Sequence, residues 1–366
     1  VTLGTKGARW VSVVAAAALL AGTVGAQGAA MAASRKPAGT KVATLLETGS
    51  SLLYPLFNIW IPSYNKVHPN VQITPGSTGS GTGISDAEDG TVQIGASDAY
   101  LPPTAKSTNG GSMLNVPLGI SAQMINFNLP GLNAKHLHLN GPILAGIFSG
   151  KIKKWNAPAI AKLNKGVKLP NHAIIPIRRI DGSGDTFLFT QYMTFSAGSA
   201  WAPGYGTTVN WPAVGNEISA QGNSGMVTAL NSTPYGVAYI GISYENEIVS
   251  HKLGIAAIEN KAGKFLTPNP SDIQFAAAAM VSKTPSSEAL SLIFSPGANS
   301  YPIINYEYAI LDTKQANATD AKWVKDFLTW CLTTGQSMSY LNQVHFQPLP
   351  HFVVNMSKAQ LNRLQG

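Results

Sequence analysis

Between residues 42 and 101 the chain alternates strand patterns with helix patterns, and little lies between them. KVATLLETGSS reads as a short strand ending in a turn. LLYPLFNIWIPSYNKVHP carries apolar residues at helical spacing, with Pro55 in the first turn, where proline is tolerated. VQITPG is a second strand, STGSGTGISDAEDG a Gly/Ser loop entering a short helix, and VQIGASDAYL a third strand ending in a polar turn. This order of strand, helix, strand, helix, strand argues for an α/β arrangement with a parallel sheet.

The pattern then continues less regularly. SMLNVPLGISAQMINFNLPGL is strand-like, alternating and apolar. GPILAGIFSGKIKKWNAPAIAKLNKG is helical with a break, AIIPIRRIDGSG a strand into a turn, and DTFLFTQYMTFSAGSAW a helix. SGMVTALNSTPYGVAYIGISY reads as helix, turn, strand. YPIINYEYAILD is again a strand, and DAKWVKDFLTWCLTTGQSMSYLNQV one late helix.

Lys6 and Arg9 precede VSVVAAAALLAGTVGA, an apolar run of small residues followed by Val24-Gly25-Ala26 and Ala30-Met31-Ala32. Residues 1–33 therefore read as a secretory signal peptide, the alternative being a retained anchor. Residues 34–40 read as a linker. No cysteine follows the signal that could carry a lipid, so the expected location is the periplasm or the medium. About 330 residues remain, too many for one typical core, so two lobes are expected. Cys331, the only cysteine, falls in a helical pattern and reads as a small buried hydrophobe.

The net charge is +8, with charged residues only 11% of the chain. A basic balance favours anionic partners. The densest cluster, Lys151, Lys153 and Lys154, lacks the long stripe with interleaved aromatics that nucleic acid requires, and reads as a solvated turn. The histidines show no H-E-x-x-H spacing, there is no G-x-S-x-G elbow, and no cofactor is expected.

Three segments share one design in which a strand ends, a serine-containing turn follows and a helix begins: TGSSLLYP, GSTGSGTGI and DGSGDTF. Backbone N–H groups at a helix start have no partner within the helix, and the helix dipole places partial positive charge there. Serine adds a hydroxyl donor, and glycine lets the backbone approach closely. Each loop is a candidate anion site and equally an ordinary helix cap. Three together, with an arginine beside one, favour a shared ligand. GSTGSGTG has no lysine at the G-K-[ST] position and is not a nucleotide P-loop.

The stretches GASDAYL, ILAGIFSGKIKKWNAPAIAKLN, KLPNHAIIPIRRIDGSGDTFLFTQYM and STPYGVAYI together carry a resemblance. The chain resembles the extracytoplasmic phosphate-binding protein of the bacterial ABC-type phosphate importer, a type II periplasmic binding protein. The resemblance runs from about residue 42 to the C-terminal helix. It implies a two-lobed α/β fold with two mixed sheets flanked by helices, residues 41–127 and 303–366 forming one lobe and 128–302 the other. In that family a dehydrated phosphate lies in the cleft between the lobes. The implied phosphate-binding residues are Ser51, Leu52, Ser80, Asp98, Arg179, Ser183 and Gly184, with Asp181 orienting the arginine. Where the family commonly has Gly-Thr after the loop serine, this chain has Gly184-Asp185. A second carboxylate repels an anion unless it accepts a ligand proton or turns outward, and Thr186 is the replacement hydroxyl. The implied partners are inorganic phosphate and an ABC-type permease in the inner membrane, with the protein a monomer that binds no nucleic acid.

Phosphate near neutral pH keeps at least one proton and sulfate keeps none. A fixed carboxylate at Asp98 can accept that proton but meets only lone pairs on sulfate, so rejection carries the specificity. Competing readings are a secreted phosphatase, a binder of another oxyanion or of an organic phosphate, and a sensory or adhesive protein.

Overall fold

The computed structural model describes residues 42–366, and the signal and linker readings lie outside these described residues. The first part of the chain forms β1 (Ala43–Gly49), α1 (Tyr54–Val67), β2 (Val71–Thr74), α2 (Ser80–Glu88), β3 (Ile94–Ser97) and the long β4 (Met113–Phe127). The middle forms β5 (His138–Leu139), α3 (Gly141–Phe148), α4 (Pro158–Leu163), β6 (Ile175–Arg179), α5 (Gly184–Ala197), β7 (Ile218–Ala220), α6 (Gly222–Asn231) and β8 (Gly236–Gly241). Next come α7 (Glu245–Ser250), β9 (Gly254–Ile255), β10 (Ala257–Glu259), β11 (Phe265–Leu266) and α8 (Pro270–Ala278). The chain closes with β12 (Ile304–Asp312), α9 (Ala318–Cys331), α10 (Met338–Leu341) and α11 (His351–Leu361).

The alternating N-terminal segment folds as its pattern predicts. β1 lies between β2 and β3 and runs parallel to both. One sheet has the order β2-β1-β3-β12-β4-β8-β6-β7, with β9 also on β4, and a small second sheet has the order β11-β10-β5. The fold is thus mixed α/β with two sheets flanked by helices. β6 runs parallel to β8 and β7, whereas β12 is antiparallel to both β3 and β4.

β4 departs from the expected alternation, because all of its residues are buried. It pairs with β12 over Met113–Ala122 and with β8 over Gln123–Phe127, and α5, α8 and α11 pack against it. The register of β4 against β12 slips between Glu307 and Tyr308, opposite Gly119 and Pro117. Proline has no N–H to give to a ladder, and such a slip is where a central strand tolerates it.

The late helix is shorter than its pattern predicts. It ends at Cys331, and short turns and α10 follow. Gly335 packs under Trp60, whose indole Nε1 donates to the Gly335 carbonyl at 3.0 Å, and a Cβ there would crowd the ring. Gln336 Nε2 then donates to the Cys331 carbonyl at 2.9 Å, closing the helix end. Cys331 is buried, as its apolar setting predicts.

Candidate anion site

The three serine-containing turns converge. The GSTGSG and DGSG loops meet backbone to backbone, with Gly81 N–H donating to the Gly182 carbonyl at 2.8 Å. Gly79 has φ +97°, and a Cβ on it would fall 2.6 Å from Asp181 Oδ2 and 2.7 Å from the Gly182 carbonyl. This close approach is the physical reason for the glycines.

Four serines surround the meeting point, all buried. Ser80, at the start of α2, accepts the Asp98 N–H on Oγ at 3.2 Å. Ser183 caps α5, its Oγ accepting the Thr186 N–H at 3.2 Å. Ser51 Oγ accepts from Asn223 twice, from N at 3.1 Å and from Nδ2 at 3.0 Å. Each of these three uses its lone pairs inside the protein and keeps its own proton to offer. Ser50 is wired the other way. Its Oγ accepts the N–H groups of Leu52 and Leu53 at 3.1 and 3.0 Å and donates its proton to Asp98 Oδ1.

Two charged groups of opposite sign complete the arrangement. Arg179, at the end of β6, is 3% exposed. Its Nε donates to Asp181 Oδ1 at 2.7 Å, its Nη2 to Asp181 Oδ2, and its Nη1 to Asp185 Oδ2 at 2.9 Å. The remaining guanidinium N–H bonds are free for a ligand. Asp98 follows β3 and is 1% exposed. Burial and then the charge of Asp185 push its carboxyl up to about 7, against Glu307, Ser50 and Arg179. Burial also pushes Asp181 up, but Arg179 and the Gly222 N–H outweigh it and hold this carboxyl below its usual value.

Asp185, the departure at the loop, turns inward and is fully buried. Oδ1 accepts from Gln123 Nε2 at 3.0 Å, and Oδ2 accepts from Arg179 and from Asn223 Nδ2 at 2.7 Å. Burial raises its pKa despite these partners. Three expected ligand groups are thus engaged within the protein. The Leu52 N–H is held by Ser50, the Asp185 carboxylate by Arg179, Gln123 and Asn223, and Thr186 Oγ1 by Tyr239 Oη at 2.8 Å. The same Tyr239 Oη accepts the Arg179 N–H at 2.9 Å, which ties the arginine strand to α5.

Sequence reasoning had not singled out Ser50, Gln123, Asn223, Tyr239 or Glu307. Asn223 opens α6 in QGNSGM, a fourth turn of the same Gly/Ser chemistry, and that was its legible signal. Glu307 is a carboxylate in the middle of the apolar strand YPIINYEYAILD. Gln123 and Tyr239 carry no local mark. Lys151, Lys153 and Lys154 are exposed, as their composition predicts. Among the described residues no group of three or more metal-ligating side chains is assembled, and no helix is long and apolar enough to cross a membrane.

The site is a cage of buried hydroxyl and helix-start donors around one cation and the carboxyl groups of Asp98, Asp181 and Asp185, and a family model described as the PBP superfamily domain matches residues 34–334. The chain is 35% identical over 346 residues to the phosphate-binding protein PstS of Methanocaldococcus jannaschii, covering 88% of this chain and 86% of the relative. It is 32% identical over 323 residues to the phosphate-binding protein PstS of Pasteurella multocida, covering 88% and 90%. The chain belongs to the PstS family of binding proteins within the PBP superfamily. In fold it is similar to a high-affinity periplasmic phosphate-binding protein solved with phosphate, PfluDING, with TM-score 0.68 and 20% identity over 86% of this chain and 93% of that one. It is also similar to the phosphate-binding protein from Stenotrophomonas maltophilia, with TM-score 0.64 and 20% identity over 87% and 94%.

Proposed function

We propose that the protein is an extracytoplasmic solute-binding protein that captures inorganic phosphate and delivers it to an ABC-type permease in the inner membrane. The observation that carries this reading is the burial of Asp98 and Arg179 at one meeting point of helix-start loops, with Arg179 linked through Asp185 and Asn223 to Ser51 and Asp98 held by the neighbouring Ser50. The named relatives support it, since both are phosphate-binding proteins.

In this mechanism the Ser51, Ser80 and Ser183 hydroxyls and the N–H groups opening α2 and α5, including that of Gly184, donate to the oxygens of the anion. Arg179, fixed by Asp181, adds its remaining donors and the positive charge. Asp98 accepts the proton that phosphate retains. Facing sulfate it would meet only lone pairs, and a buried unpaired repulsion of this kind costs about 1–3 kcal/mol or more. The Leu52 N–H and Thr186 Oγ1 are hydrogen-bonded within the protein and stand behind these donors, while Asp185, which holds Arg179, keeps a lone pair on Oδ1 for a second ligand proton.

Release requires two lobes to part. We assign residues 41–127 and 303–366 to one lobe and 128–302 to the other, with hinges near 126–130 and 300–304. The exchange of partners along β4 at Ala122–Gln123 supports a crossing in this part of the chain. The protein works as a monomer, in the periplasm or released, and its lobe rims dock on the permease.

Isothermal titration of the protein with phosphate and then sulfate tests the reading. Tight one-to-one phosphate binding without a sulfate signal is expected, and failure to bind phosphate overturns it.

A further inference from the structure

Among the described residues Glu307 packs against the site without a partner of opposite charge. It lies on β12 at the register slip, fully buried. Ser121 Oγ donates to Oε1 at 2.5 Å, and Asn305 Nδ2 reaches the same oxygen at 3.5 Å while donating to the Asp98 carbonyl at 2.7 Å. Oε2 meets no N–H or O–H donor. Asn305 Nδ2 thus spans the Asp98 carbonyl and Glu307 Oε1 and sets the two acids beside each other, and two carboxyl groups so placed can hydrogen-bond only when one carries a proton. The charged groups acting on Glu307 are Asp98 from the end of β3 and Asp185 from α5, and Arg179 lies beyond them on β6, already paired with Asp181 and Asp185.

We infer that Glu307 is a neutral carboxylic acid that donates its proton to Asp98 and keeps Asp98 the ionised member of the pair, so that Glu307 positions the specificity-determining acceptor of the anion site. The assignment of the proton follows from the surroundings. Asp98 has the Ser50 proton and the field of Arg179 to stabilise a negative charge. Glu307 has one short donor and one bare buried oxygen, so its ionised form is the more costly. Burial first, and then Asp98, push its carboxyl well above the usual range. The arrangement is a pair of carboxyls sharing one proton, with only one of them facing the ligand. Below the titration of Asp98 the pair holds two protons, and Asp98 becomes a donor that no longer rejects a deprotonated oxyanion.

This inference rests on the phosphate reading for its consequence but not for its proton, and the test separates the two. Infrared difference spectra of the wild-type chain minus Glu307→Gln at pH 8, without added anion, should show a protonated carboxyl band. Absence of that band overturns the inference whatever the protein binds. Phosphate titrations then address the consequence. Glu307→Gln keeps a donor toward Asp98 and should bind phosphate within about threefold of wild type, whereas Glu307→Leu removes the donor and should weaken binding at pH 7 by about tenfold or more. Glu307→Leu should also move the acid limb of the phosphate profile to higher pH. Marked tightening in Glu307→Gln would mean that Glu307 was ionised, and an unchanged profile in Glu307→Leu would reduce it to packing; either overturns the inference. Absence of phosphate binding in the wild type would instead remove the phosphate reading and leave the infrared result standing.

Discussion

Gly184 and Asp98 touch so closely that a Cβ at position 184 would fall 2.3 Å from Asp98 Oδ2. The helix start of α5 and the carboxylate after β3 are therefore set against each other, and the absence of one methyl group permits it. Gly184→Ala should push Asp98 out of place and weaken phosphate binding by about tenfold to a hundredfold, at an overpacking cost of about 1–3 kcal/mol. Calorimetric titration with the thermal midpoint measured in parallel checks this, and unchanged affinity would mean that the loop relaxes freely.

Arg179→Lys keeps the charge and loses the fork. Asp181 now receives two guanidinium bonds and Asp185 one, and a lysine cannot supply both at that spacing. The variant should lose about 3–5 kcal/mol of stability, since it leaves buried carboxylates underpaired. Adding Asp185→Asn should recover part of that stability and none of the phosphate affinity, as denaturant unfolding and titration would report.

Asp98 makes the free protein pH-sensitive. Its carboxyl is raised in the folded state to about 7 from an ordinary 3.8. Between those values the folded chain holds a proton that the unfolded chain releases, so stability falls as pH rises through that window. Asp98→Asn removes the penalty and should stabilise the protein at pH 8 by about 2 kcal/mol with no gain at pH 4. The same variant presents an N–H donor where a carboxylate stood, so its preference for phosphate over sulfate should fall by about a hundredfold. A stability gain equal at both pH values would count against the assignment.

Asp185→Thr replaces the second carboxylate of the DGSGDTF loop with a hydroxyl. Dihydrogen phosphate, dominant in acid, offers two protons, and Asp98 and Asp185 can accept one each. The variant should therefore lose more phosphate affinity at pH 5 than at pH 8. A pH profile of binding identical to wild type would remove Asp185 from that role and leave it the task of holding Arg179.

Much of the fold was legible in local pattern. The alternation over residues 42–101 predicts three parallel strands, and β1, β2 and β3 form them because helical crossovers return the chain to the same edge direction. The serine turns were legible too, since helix starts are written in short-range chemistry. The extent of α9 was not, because the helix stops at Cys331, where Gln336 takes the Cys331 carbonyl and the following turn packs Gly335 on Trp60, far away in sequence. The direction of the Ser50 and Ser51 hydroxyls was equally hidden. These neighbours in one motif face different partners, Asp98 and Asn223.

The sequence by itself determined which residues could serve an anion: hydroxyls and glycines at helix starts, one arginine flanked by acids, and an aspartate after a strand. Those are local properties of residue type and spacing. Only the tertiary structure decided which of them hydrogen-bond to one another, because that depends on pairings between distant segments. Asn223 joins Ser51 to Asp185, Gln123 takes Asp185 from β4, and Asn305 on β12 bonds the Asp98 carbonyl from the far end of the chain. Burial then does what no local pattern can. It removes water from these carboxyls, so that each must find a cation, a donor or a proton.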